Sequence, residues 1–196
     1  MSSSPERFDL RRITPQPWKN GAGITREISV GPRGAGAGDF DWRFSLAEVE
    51  RDAPFSAFPG INRCIVLLRG AGMRLRSDHG ELDHRLDQPL APFNFSGDTP
   101  LSATLIDGPS SDFNVMTRRG AWVAEVTTQR SAFEPASADV TLLLCSVGAW
   151  LVTGDAAETL GPMQALLWRA PPPRIGVSPQ PNSALLLVRL CHDRSS

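Results

Sequence analysis

Short runs in which apolar and polar residues alternate, broken by glycine and proline, recur along the whole chain. No segment carries the apolar spacing of a long helix. In "FDWRFSL", Phe40, Trp42, Phe44 and Leu46 point one way and Asp41, Arg43 and Ser45 the other, which is the period of a strand. Similar runs occur in "RCIVLL", "GMRLRS", "LSATLI", "DFNVM", "VTLLLCSV", "ALLWRA" and "SALLLVRL". Strands so short and so frequent, with turn residues between them, predict an all-β protein of antiparallel sandwiches or barrels.

The second half repeats part of the first. Leu67-Leu68-Arg69-Gly70-Ala71-Gly72-Met73 answers to Leu143-Leu144-Cys145-Ser146-Val147-Gly148-Ala149. "QPLAPFNF" at 88–95 answers to "GPMQALLW" at 161–168 through a proline followed by apolar alternation. A repeat of this length matches one small barrel, so the pattern predicts two similar units, 1–120 and 121–196, packed as one globule. The second is apolar, rich in proline and thin in polar clusters, which assigns any site to the first.

Composition narrows the partners. The chain has 196 residues, enough for a proper core, and 20 basic against 21 acidic residues leave a formal charge of -1. Without a run of Lys and Arg to track phosphates, nucleic acid is not expected as a partner. The start of the chain lacks the apolar core of a signal peptide and no stretch is long enough to span a bilayer, so no membrane partner and a cytoplasmic location are expected. Cys64, Cys145 and Cys191 are odd in number, widely spaced and without a Cys-x-x-Cys pair, and read as small buried hydrophobes.

Polar clusters carry the candidate chemistry. In "PWKNGAGITREI", residues 17–28, Asn20-Gly21 suits a turn, with Lys19 and Asn20 facing a lumen and the Thr25 and Glu27 side continuing it. Arg43 and Ser45 oppose Trp42 and Phe44, and Asp112 and Asn114 oppose Phe113 and Val115. In a barrel, the polar side of such strands lines a lumen able to hold one small ligand. Lys19, Arg43 and Arg63 suit one or two carboxylates, and Asn20, Thr25 and Asn114 an amide or imidazole group. Trp18 or Phe95 offers a ring face, and Glu27 and Asp112 balance the cations of an empty site. A plainer reading pairs Arg63 with Asp112 to tie two strands together. Asp98 reads as a turn residue, and Arg118-Arg119 as a solvated strand end.

"PWKNGAGITREI", "FDWRFSLAEVERDAPFSAFPGINRCIVLLRGAGMRL", "FSGD" and "DGPSSDFNVMTRRG" resemble, in order, the signature blocks of the HutD/Ves family of bacterial proteins. The resemblance implies a bicupin, two cupin-type β-barrels in one chain, in a family some of whose members are linked to histidine utilisation. It makes urocanate, or a formylated or formimino glutamate derivative, the natural ligand candidates, with no catalysed reaction established. Most cupin enzymes hold a transition metal through two or three histidines and a carboxylate. Here only His79, His84 and His192 are present, without a third suitable ligand, so neither metal nor other cofactor is expected. No histidine falls in the polar clusters to activate Ser45 or Ser96, so no catalytic residue is assigned. The leading expectation is a non-catalytic binder of a small carboxylate that modulates a catabolic pathway. A metal-independent isomerase or lyase using Glu27 or Lys19, and an interaction module forming a homodimer, are the alternatives.

Overall fold

Alternation becomes strand almost throughout. The computed structural model describes residues 4–36 and 38–194, and its helical content among these is a single 3-10 turn, Leu10–Arg12. The described residues contain no helix long and apolar enough to cross a membrane. Contacts divide the chain into a unit at 14–122 and a unit made of 4–13 with 123–194.

Numbered along the chain, the strands begin with β1 (Glu6–Asp9), β2 (Gln16–Pro17), β3 (Gly23–Gly31), β4 (Trp42–Val49), β5 (Ala53–Phe55) and β6 (Ile61–Arg69). Next come β7 (Met73–Ser77), β8 (Asp83–Leu86), β9 (Pro92–Ser96), β10 (Leu101–Leu105), β11 (Ser110–Arg118) and β12 (Trp122–Gln129). The last are β13 (Val140–Val147), β14 (Trp150–Thr153), β15 (Glu158–Leu160), β16 (Gln164–Trp168), β17 (Gly176–Pro179) and β18 (Ala184–His192).

In the 14–122 unit a six-stranded sheet, β2-β3-β4-β11-β6-β9, and a four-stranded sheet, β5-β10-β7-β8, share a core. Val49, Ile65 and Leu67 of the larger sheet pack with Phe55, Met73, Leu75, Leu86, Leu101 and Ala103 of the smaller. Each such side chain contributes on the order of 2 kcal/mol by leaving water. The register sets which polar residues become neighbours: Ala47 faces Asp112, which faces Leu67, and one step along the same faces Ser45 opposes Asn114. Trp42, Phe44 and Phe113 form a tilted ring series, at 5.0 and 6.3 Å between centroids, and are themselves buried. The strands are therefore buried on both faces, and the polar side of the alternation points inward.

The second unit pairs β1-β16-β13-β18-β12 in one sheet and β15-β14-β17 in another. Where the boundary expected from sequence places the first residues in the N-terminal unit, β1 instead adds to β16, with Glu6 opposite Leu167 and Asp9 opposite Gln164. The reason lies in what surrounds it. Leu10 is wholly buried, its N–H donates to the Met163 carbonyl at 2.8 Å, Glu6 pairs with Arg169, and Arg7 pairs with Glu158. The interior of this unit is filled by Leu143, Cys145, Trp150, Leu166, Trp168 and Leu187.

The repeat is visible in backbone detail. Leu90 and Met163, aligned by the proline before each, both take the left-handed conformation at φ 63° and 60°. The N–H of Leu90 donates to Leu67 O at 2.9 Å and that of Met163 to Cys145 O at 2.8 Å. A serine braces each following hairpin: Ser110 Oγ accepts from Gly72 N–H at 2.9 Å, and Ser183 Oγ accepts from Ala149 N–H at 3.0 Å. Of the cysteines, Cys64 and Cys145 are buried, which pushes their thiols up to about 12 and about 11. Cys191, expected to be buried, is exposed near the end of β18.

Candidate functional site

The 14–122 unit holds a cavity of about 500 Å³. Its first wall is the stretch at 17–28. The chain leaves β2, turns through 18–22 and returns as β3. Gly21 at φ 65° donates to Trp18 O, and Asn20 Oδ1 accepts from Ala22 N–H at 3.0 Å. Trp18 Nε1 donates to Thr25 Oγ1 at 2.7 Å, and the indole meets Phe55 in a T-shaped contact at 6.3 Å between centroids. Trp18, Lys19, Asn20 and Thr25 all line the cavity, with Lys19 and Asn20 exposed at its mouth.

The second wall comes from alternate residues of adjacent strands. Arg43, Ser45 and Ala47 of β4 and Asn114 and Met116 of β11 face inward, and Met116 stands opposite Arg63 of β6. Arg63 is 5% exposed, and its guanidinium lies 5.0 Å from the ring centre of Phe95, 5.2 Å from Phe55 and 5.4 Å from Phe58. Nη1 donates to the Ser56 carbonyl at 3.2 Å, while Nε is buried without a partner. Burial lowers its pKa to about 10, so it remains a cation at neutral pH. The charge of Asp112 acts in the opposite sense and that of Arg43 adds to the lowering.

Three of the expected residues sit elsewhere than on the cavity surface. Glu27 accepts from Arg43 Nε at 2.8 Å and so neutralises that cation from the side. Phe95 lies against Arg63 as part of its aromatic surround. Asp112 is wholly buried one step below Asn114, and neither of its oxygens has a hydrogen-bond partner. The expected tie between Arg63 and Asp112 is thus a charge interaction without a hydrogen bond. Desolvation dominates there and raises the Asp112 pKa to about 7, with Arg63 pulling the other way.

Sequence reasoning missed the apolar half of the wall. Phe55, Ser56 and Phe58 come from the "APFSAFPG" segment, which is β5 followed by a loop, and Met116 adds to the apolar lining. Two phenylalanines flanked by prolines just before an arginine, the first at the end of β5 and the second in the loop after it, were the available signal. The loop is anchored by Asp98, which accepts from Gly60 N–H at 2.6 Å and from Ser96 Oγ at 2.8 Å and pairs with Arg119 at 2.6 Å. Those bonds, the Gly60 N–H first, hold its carboxyl down at about 2. Asp98 therefore does more than turn the chain, and Arg119 is tied down rather than merely solvated. Arg118 likewise pairs with Asp41.

The donor set does not fit a transition metal. The inward positions offer guanidinium, hydroxyl and amide groups, and the described residues contain no group of three or more His, Cys, Asp or Glu able to hold an ion. His84 stacks on Phe93 at 3.5 Å, His79 is exposed, and His192 faces Asp139 at 3.2 Å.

The lone buried carboxyl makes stability depend on pH. Because folding raises the Asp112 pKa above its ordinary 3.8, its contribution is most favourable below that value and is lost as pH rises through about 7. Asp112→Asn is therefore expected to stabilise the protein at pH 8 by on the order of 2 kcal/mol, a rise of several degrees in Tm. The difference shrinks toward pH 4. Paired thermal melts at the two pH values check this, and an Asn variant less stable at pH 8 would contradict it.

Two double-sheet barrel units in one chain, one holding the cavity of about 500 Å³ and the other an apolar core, define a bicupin. The chain belongs to the HutD family, whose model matches residues 11–187 and which is associated with histidine utilisation. It is 38% identical over 155 residues to Protein Ves of Citrobacter koseri, covering 79% of this chain and 78% of that one. It is 30% identical to HutD of Pseudomonas fluorescens SBW25, with a TM-score of 0.84 over 97% of this chain and 100% of that structure. Oxalate decarboxylase of Lactobacillus farciminis shares the fold at 8% identity, with a TM-score of 0.63 over 97% of this chain and 86% of the other.

Proposed function

We propose that the protein is a non-catalytic binder of a small carboxylate that modulates a catabolic pathway in the cytoplasm, histidine utilisation being the natural one for its family. One observation carries the reading. Arg63 is a buried cation inside the cavity with no carboxylate bonded to it, whereas Arg43 is already matched by Glu27. A charge taken out of water costs several kcal/mol unless it gains a partner, and a carboxylate arriving from the cavity supplies one. Lys19 at the mouth adds attraction on approach, and Ser45 and Asn114 offer hydrogen bonds to an amide or ring nitrogen.

Urocanate, N-formyl-L-glutamate and formimino-L-glutamate fit this chemistry, and their neutral amides do not. In a thermal-shift panel at about 100 times its dissociation constant, the true ligand stabilises the fold by ~2.7 kcal/mol. The corresponding amide produces no shift. Equal shifts for acid and amide, or none for any carboxylate, would overturn the reading.

A further inference from the structure

The cavity contains one buried cation without a bonded carboxylate, Arg63, but two claims on it. On β11 the residues at 112, 114 and 116 share the inward face; Asn114 and Met116 line the cavity, and Asp112 lies one step deeper. Its cross-strand neighbours mark the border: Ala47 on β4 still lines the cavity, and Leu67 on β6 already belongs to the apolar core. Both oxygens of Asp112 lack a hydrogen-bond partner, as does Asn114 Oδ1. The carboxyl is therefore held beneath the cavity lining by packing, with Arg63 as the cation whose field reaches it.

A ligand carboxylate that settles on Arg63 takes up the field that favours an ionised Asp112. Two carboxylates sharing one buried guanidinium leave an excess negative charge in a low-dielectric interior, and the group best able to shed it is the one with no hydrogen bonds to lose. We propose that the cavity takes its carboxylate together with a proton, which Asp112 holds, so that ligand binding and neutralisation of Asp112 are one event. This rests on the carboxylate-binding reading and adds a proton to it.

The surroundings confine the effect to Asp112. From β6 the charge of Arg63 acts on it without a bond, and that group stays charged to about pH 10, while Cys64 of the same strand is pushed up to about 12. β4 contributes Arg43, which β3 matches with Glu27, and Lys19 stands at the exposed mouth. The smaller sheet presents Phe55, Met73, Leu75, Leu101 and Ala103 to the core, none of them titratable. His84 on β8 stacks on Phe93, and its burial lowers its pKa, so it is neutral where Asp112 ionises. The free carboxyl of Asp112 titrates near pH 7, inside the range where binding is measured.

Isothermal titration of the full chain with N-formyl-L-glutamate tests this. The carboxylates of that probe are ionised, and its amide does not titrate, from about pH 6 to about pH 9. Repeating the titration in buffers of different ionisation enthalpy counts protons. At about pH 8 the expected uptake is at least about half a proton per ligand, and the Kd rises by up to about tenfold per pH unit above neutrality. In Asp112→Asn, which is neutral at every pH, both effects vanish. Binding by the unaltered protein without proton uptake would overturn the inference and leave the carboxylate reading standing, and so would an unchanged pH slope in the Asn variant. No binding at any pH, by this probe or by urocanate or formimino-L-glutamate titrated in the same way, would remove both. The proton count on the unaltered protein needs no variant to fold.

Discussion

Arg63→Met is expected to weaken binding of a carboxylate by about 30- to 150-fold while leaving the fold intact. Among the described residues, the guanidinium is the one buried cation of the cavity without a bonded carboxylate, and charge-assisted bonds in such places are about twice as strong as neutral ones. Loss of such a contact costs about 2–3 kcal/mol, which is the stated factor. Methionine fills a comparable volume among Phe55, Phe58 and Phe95 and has no charge to desolvate, so thermal stability should hold or rise. Arg63→Lys keeps the charge but not the planar fork and falls between the two. The structure thus singles out Arg63 among the three cations, Lys19, Arg43 and Arg63, that the sequence offers to a carboxylate. Arg43→Ala removes a cation that Glu27 already neutralises, and Lys19→Ala one that is exposed, so each has the smaller effect. Calorimetric titration of the variants decides the order, and Arg63→Met binding like the parent would contradict it.

Gly72→Ala should be the most damaging single-methyl change in the 14–122 unit that the backbone suggests, at on the order of 3–4 kcal/mol. The residue sits at φ 92°, and a Cβ there would lie 1.9 Å from the Leu86 carbonyl oxygen. That oxygen is backbone at the end of β8, so no side chain can swing away to make room. The N–H of Gly72 is also bonded to Ser110 Oγ, and any shift of the turn pulls on the start of β11, the strand that carries Asp112 and Asn114. Gly60 supplies the control. Its φ is 73° but nothing lies within 4 Å of an added Cβ, so Gly60→Ala should cost only about 1 kcal/mol. Denaturant titrations of the two variants separate steric clash from conformational preference, and equal losses would show that the clash is relieved.

How far the chain could be read without coordinates depended on how local each cause was. "VTLLLCSV" is β13 residue for residue, because its apolar run and its flanking turns lie within a few positions of one another. The inward face of β4 and β11 was legible from period-two alternation, and the repeat from the proline before Leu90 and Met163. The pairing of β1 with β16 was not, since nothing near residue 6 records what waits near residue 167. Alternation also tells which way Asp112 points but not whether a donor reaches it. That depends on distances between strands that sequence spacing does not encode. Glu27 shows the same limit. The ladder between β3 and β4 shifts register between Glu27 and Ser29, and beside that irregularity the carboxylate pairs with Arg43 instead of lining the cavity.

The placement of β1 also sets an order of events during synthesis. Residues 6–9 leave the ribosome well before their partners at 164–167 are made. The 14–122 unit contains all the strands of its own two sheets and can close around its cavity during translation, whereas the second unit must wait for its final strand and then capture a segment from the opposite end. A chain growing toward its C-terminus therefore completes the sheets of the 14–122 unit before it can complete those of the other, and β1, made before its partner β16, is among the last strands to be docked.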